Sequence, residues 1–112
     1  MPGPEATIER ECGVLASAVG FGFYKIAFKN RRGCPDRVLT MDGSPDGGLA
    51  AALSGRCVFL EFKRSGAKPD PVQVLAHEDL RRHGARVEVV DSVEQFKGII
   101  QECLRETTCT IT

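Results

Sequence analysis

Cys57-Val58-Phe59-Leu60-Glu61-Phe62-Lys63 is the stretch on which the fold turns. It is apolar until Glu61, the pattern of a strand in the middle of a sheet. Downstream, Ser65 to Asp70 is a loop, after which Pro71 suits the first position of a helix with Asp70 as its cap. That helix carries Val72, Leu75, Ala76 and Leu80 as an apolar stripe and runs to His83, where Gly84 stops it. Arg86 to Val90 reads as a fourth strand. Ser92 then caps a last helix through Phe96, Ile99, Ile100, Cys103 and Leu104. Residues 106–112 are expected to form a flexible tail.

Upstream, residues 42–56 are rich in Gly, Ser and Asp and read as a long hairpin connection. Asp36 to Met41 is a second strand, and Phe23 to Phe28 a first, with the basic loop Lys29 to Pro35 between them. Residues 5–19 form a helix, with Ile8, Cys12, Leu15, Ala16 and Val19 at three- and four-residue steps, Thr7 as cap, and Gly20 and Gly22 at its end. The order is helix, three strands, helix, strand, helix. It predicts an α/β fold with a mixed four-stranded sheet, in which the third and fourth strands are parallel and joined by a right-handed crossover. One domain over residues 1–112, with its core at about 5–105, accounts for the length.

The 112 residues hold 15 basic and 15 acidic side chains, 42% apolar residues and no Trp. No apolar run approaches the ~20 residues of a membrane span, and the Met1 to Glu5 start lacks the features of a secretory signal. A net charge of zero argues against a protein that binds nucleic acid by bulk charge. Cys12, Cys34, Cys57, Cys103 and Cys109 are odd in number and show no C-x-x-C spacing. They read as structural thiols in a reducing compartment, hence a cytoplasmic location. His77 and His83 are six residues apart, not a helical ligand spacing, and are expected on the helix surface. Gly20-x-Gly22 precedes a strand rather than a helix, so no nucleotide cofactor is expected.

Chemistry gathers at the strand ends. Glu61 and Lys63 are two residues apart on one strand and project from the same face. If strands two and three pair as a hairpin, Asp36, which follows Pro35 at the start of strand two, comes within reach of Glu61. Two carboxylates and an ammonium group then converge where an apolar strand surfaces.

Pro35-Asp36 followed by Glu61-Phe62-Lys63, on an αβββαβ core, resembles the PD-(D/E)xK nuclease superfamily with its restriction-endonuclease-like fold. Closer still, Gly33-Cys34-Pro35-Asp36-Arg37-Val38, Val58-Phe59-Leu60-Glu61-Phe62-Lys63 and the later Gln73 resemble the VRR-NUC (virus-type replication-repair nuclease) domain, in which G-x-P-D-R, v-x-x-E-x-K and a downstream Gln recur together. The resemblance runs from about residue 8 to residue 100. It implies an endonuclease that hydrolyses phosphodiester bonds in DNA. Asp36, Glu61 and the backbone carbonyl of Phe62 offer the oxygen donors that Mg²⁺ or Mn²⁺ prefers. Lys63 would position the water or neutralise developing charge, acting through its positive charge rather than as a base.

The resemblance further implies an acidic residue on the first helix. Glu9 matches best by spacing, with Glu11 as the alternative, and Glu5 lies too near the terminus. Gln73 would contact Lys63, a ligand or the scissile phosphate, and Lys25 matches a family lysine and is a candidate for DNA contact. Arg31, Arg32 and Arg37 beside Pro-Asp, and Arg64 and Lys68 after E-x-K, are candidates for phosphate contacts. Standalone members of the family are associated with phages and bacteria, and imply a homodimer, some acting on four-way (Holliday) junctions. The apolar last helix or the Leu49–Leu53 stretch would then supply the dimer surface. The competing reading is a non-catalytic nucleic-acid-binding module on the same fold.

The zero net charge conceals a partition. Residues 23–40 carry five basic side chains against one acidic, and residues 61–86 six against four. Those two segments bracket the motifs, so the sequence predicts a local basic face around an acidic site.

Overall fold

The computed structural model describes residues 3–41 and 56–111, with side chains through residue 105. Helix α1 (Pro4–Ala18) leads into strands β1 (Gly22–Lys25), β2 (Arg37–Thr40) and β3 (Cys57–Phe62). Helix α2 (Pro71–Arg82), strand β4 (Val87–Val90) and helix α3 (Val93–Ile111) follow. The sheet order is β1-β2-β3-β4, with β3 inside it as its apolar sequence requires. The β1–β2 and β2–β3 pairs are antiparallel, and β3–β4 is parallel. This is the mixed four-stranded α/β architecture that the element order predicts. The long connection between β2 and β3, and with it Leu49–Leu53, lies outside the described residues.

Strand alternation sorts the side chains into two layers. Leu39, Val58, Leu60, Phe62 and Val90 face α1 and α3, where Cys12, Ala16, Phe96, Ile99, Ile100 and Cys103 complete the core. The rings of Phe23, Phe62 and Phe96 meet there with centroids 5.9–6.3 Å apart. The other face, carrying Val38, Phe59 and Glu61, is covered by α2. Cys12 and Cys103 are free thiols in the core, and burial pushes Cys12 up to about 12. Among the described residues no helix is long and apolar enough to cross a membrane.

Four expectations need correction. Helix α1 starts at Pro4 with Gly3 at the cap position, because Pro fits the first helical turn. Thr7 is therefore inside the helix, its hydroxyl bonding back to the Gly3 carbonyl at 3.4 Å. Strand β1 stops at Lys25, and after one more ladder bond, Ile26 N–H to the Asp36 carbonyl at 2.8 Å, the chain leaves the sheet.

The third correction concerns the face of α2. Val72 and Leu75 are exposed, Leu75 by 68%, whereas Ala76 and His77 are buried. The inward row is Gln73, Ala76, His77 and Leu80. That row has the same i, i+3, i+4, i+7 spacing as an apolar stripe, but is rotated from the one the hydrophobic residues suggest. Helix α3 continues to Ile111, beyond the periodic positions that end at Leu104, so the backbone of residues 106–111 is helical where a flexible tail was expected.

Candidate active site

The β2–β3 register pairs Arg37 with Leu60, so the next position sets Asp36 opposite Glu61. The Asp36 backbone is held by the bond from Ile26, and Lys63 N–H donates to the Val90 carbonyl at 2.9 Å. Both ends of the motif are thus fixed by sheet ladders. The loop before Asp36 rests on α2. Gly33 has φ +81°, and a Cβ there would lie 2.6 Å from the Val72 carbonyl oxygen. Only glycine allows both that backbone shape and that approach. Pro35, two residues on, is fully buried. Gly33-Cys34-Pro35-Asp36 therefore seats the second carboxylate by backbone packing.

Glu61 is 8% exposed. Burial pushes its carboxyl up to about 7, against the pull of the Lys63 ammonium, and the negative charges of Asp36, Glu5 and Asp70 add to the rise. Asp36 itself is exposed and Lys63 half-buried. The ensemble is a buried carboxyl surrounded by further carboxylates with one nearby ammonium, an arrangement deficient in positive charge.

The helix-borne carboxylate felt at Glu61 is Glu5, not the expected Glu9. Starting α1 at Pro4 brings Glu5 into its first turn, one turn before Glu9. Glu9 instead accepts a hydrogen bond from Arg37 Nε, and the guanidinium lies 5.0 Å over the Phe23 ring. Arg37 and Lys25 pair across β1 and β2 and share the α1 side of the sheet, opposite Glu61. Glu11 is exposed.

The first turn of α2 closes the site's other edge. Asp70 and Gln73 form a reciprocal cap: Gln73 N–H donates to Asp70 Oδ1 at 2.9 Å, and Asp70 N–H donates to Gln73 Oε1 at 3.0 Å. The Gln73 oxygen is thereby committed to the helix end. Arg31 is ion-paired with Asp79 on α2. Arg32, Arg64 and Lys68 are exposed and have no ion-pair partner among the described residues.

His77 is the residue that the sequence reading misplaced. Expected on the surface, it is 1% exposed, and its Nε2 lies 3.5 Å from Glu61 Oε1. Burial and the charges of Arg81 and Lys63 push its pKa down, with Asp70 opposing them. The spacing of Gln73 and His77, four residues apart on one face, was the available signal.

The donor set suits a hard cation. Asp36 and Glu61 present carboxylate oxygens, and the Phe62 carbonyl is adjacent in the chain. Among the described residues no three His, Cys, Asp or Glu side chains converge as a closed metal cluster.

No family model matches the chain. It is 34% identical over 88 residues to "Putative nuclease p44" of Acyrthosiphon pisum secondary endosymbiont phage 1, an alignment spanning 79% of this chain and 83% of that protein. A solved structure described as a "VRR_NUC domain" superposes with a TM-score of 0.69 at 29% identity, covering 89% of this chain and 97% of its own.

Proposed function

The chain belongs to the VRR-NUC nuclease family, and from that premise we propose that it is a Mg²⁺- or Mn²⁺-dependent DNA endonuclease working at Asp36, Glu61 and Lys63. The observation that carries this reading is Glu61, a carboxyl 8% exposed and pushed up to about 7 beside the charges of Asp36, Glu5 and Asp70. A site of that charge has a use for a divalent cation and little use for anything else.

Asp36 and Glu61, with the Phe62 carbonyl, would hold the ion, and Glu5 is the carboxylate of α1 whose charge is felt at Glu61. When bound, the ion supplies an activated water and a Lewis acid for the scissile phosphate. Lys63, two residues after Glu61 on the same face, places its ammonium where charge develops on the transferring phosphoryl oxygens. Gln73 holds the start of α2 against the site, with its amide nitrogen left to donate to a phosphate oxygen. Arg32, Arg64 and Lys68 grip the DNA backbone and set its register without reading sequence.

The reading extends to branched DNA. A twofold homodimer presents two equivalent sites to the two equivalent strands of a four-way junction. Its free thiols suit a reducing cytoplasm, that of the host if the chain is phage-encoded. The test is incubation of the purified chain with duplex, single-stranded, flap and four-way-junction DNAs, in Mg²⁺, in Mn²⁺ and in EDTA. Metal-dependent nicking, greatest on junctions, is expected. Metal-replete protein that binds DNA and cuts none of the panel would leave a binding module in place of the enzyme.

A further inference from the structure

His77 is the one buried polar side chain whose ring nitrogen finds no hydrogen-bond partner among the described residues. It sits on the inward row of α2, 1% exposed, with Nε2 aimed at Glu61 Oε1 across 3.5 Å. We propose that His77 is a positioning residue for the metal-binding carboxylate. Its Nε2–H donates to Glu61 Oε1, leaving Oε2 for the cation. This rests on the metal-dependent reading above and deepens it.

The geometry supports the assignment in three ways. An ionised carboxylate only accepts hydrogen bonds, and the donor within reach of Oε1 is the orphaned Nε2. A histidine ring carries at least one N–H, and the tautomer can place it on Nε2. Finally, the 3.5 Å separation is one a small rotation of either side chain would close. A partner of this kind fixes which carboxylate oxygen meets the ion, the office that outer-shell donors perform at metal sites.

The experiment is Mn²⁺ binding by the DNA-free protein, followed through the electron paramagnetic resonance signal of free aquo-Mn²⁺, with unfolding temperature measured in parallel. His77→Leu is expected to keep the fold and to weaken Mn²⁺ binding by about 10- to 100-fold, the usual loss for an outer-shell partner. In His77→Gln the amide nitrogen takes the place of Nε2, and binding should stay within about threefold of wild type, because the donor is restored. A merely structural histidine would not be rescued in this way. If His77→Leu does not fold, His77→Met serves as the apolar arm against His77→Gln. The inference is overturned if the apolar variant binds Mn²⁺ as wild type does, or if His77→Gln falls with it. Glu61→Gln separates the two levels. Wild type binding no better than Glu61→Gln overturns the metal reading itself, whereas a clear Glu61 effect without a His77 effect overturns only the positioning role.

Discussion

Burial at Glu61 favours the neutral acid, and this couples stability to pH in a direction opposite to that of most carboxylates. With a folded-state pKa of about 7 against an ordinary 4.5, the folded protein binds the proton more tightly than the unfolded chain between those values. The stability it contributes is therefore present below pH 4.5 and is lost as pH rises to about 7, on the order of 3 kcal/mol for a shift of this size. His77 tilts the other way, since a buried neutral ring loses stability as pH falls through 6.5. Comparing wild type with Glu61→Gln isolates the carboxyl. In EDTA at about pH 8 the variant should be the more stable to urea, with the difference shrinking toward about pH 5; equal pH profiles would contradict this. Asp36, Glu61 and Lys63 were legible in the sequence because strand period and hairpin pairing fix which residues share a face. Glu5 and His77 were not. Starting α1 at Pro4 rather than at Thr7 brings Glu5, whose charge is felt at Glu61, into the helix. A histidine's burial, in turn, depends on the face α2 presents, which its exposed Val72 and Leu75 disguise.

Loop and helix are seated together at the next scale. Gly33 packs its α-carbon against the Val72 backbone at a positive φ, so the segment that delivers Asp36 is gauged by the first turn of α2. That same turn is pinned by the Asp70–Gln73 cap. Gly33→Ala meets both a φ of +81° and a carbonyl oxygen at 2.6 Å, and should cost about 1–3 kcal/mol of stability. It should also lower cleavage by more than the stability loss explains, because Asp36 is displaced; thermal unfolding and single-turnover rates on the same preparation measure the two. Gly20→Ala is the comparison: its φ is also positive, +83°, but nothing crowds a Cβ there, so its loss should be confined to stability. Among the described residues, sequence alone placed the helices and strands to within a few residues, apart from the end of α3, which runs on to Ile111. It missed the rotation of α2 because Gln73, Ala76, His77 and Leu80 form a helical row as regular as the apolar one. The choice between the rows is made by the sheet face that carries Glu61.

Across the whole molecule, neutrality conceals a division of labour among cations. Arg37 is held by Glu9 and Phe23, and Arg31 by Asp79, whereas Arg32, Arg64 and Lys68 stand exposed in the segments around the two motifs. Removing Arg64 and Lys68 together should weaken DNA binding and flatten its salt dependence by about two units of log–log slope, one for each phosphate left without its cation. Arg37→Ala should instead destabilise the fold while leaving that slope unchanged; titrations of labelled duplex at several salt concentrations distinguish them. The most direct measurement is the single-turnover rate of DNA strand cleavage in Mg²⁺ or Mn²⁺ for wild type and Asp36→Ala. Asp36 is exposed, so the substitution leaves the fold intact, and the predicted result is metal-dependent cutting by wild type with a loss of roughly a thousandfold or more in the variant, since a metal carboxylate is removed from the reacting centre. Cleavage by Asp36→Ala at the wild-type rate, or wild-type cutting undiminished in EDTA, would contradict it.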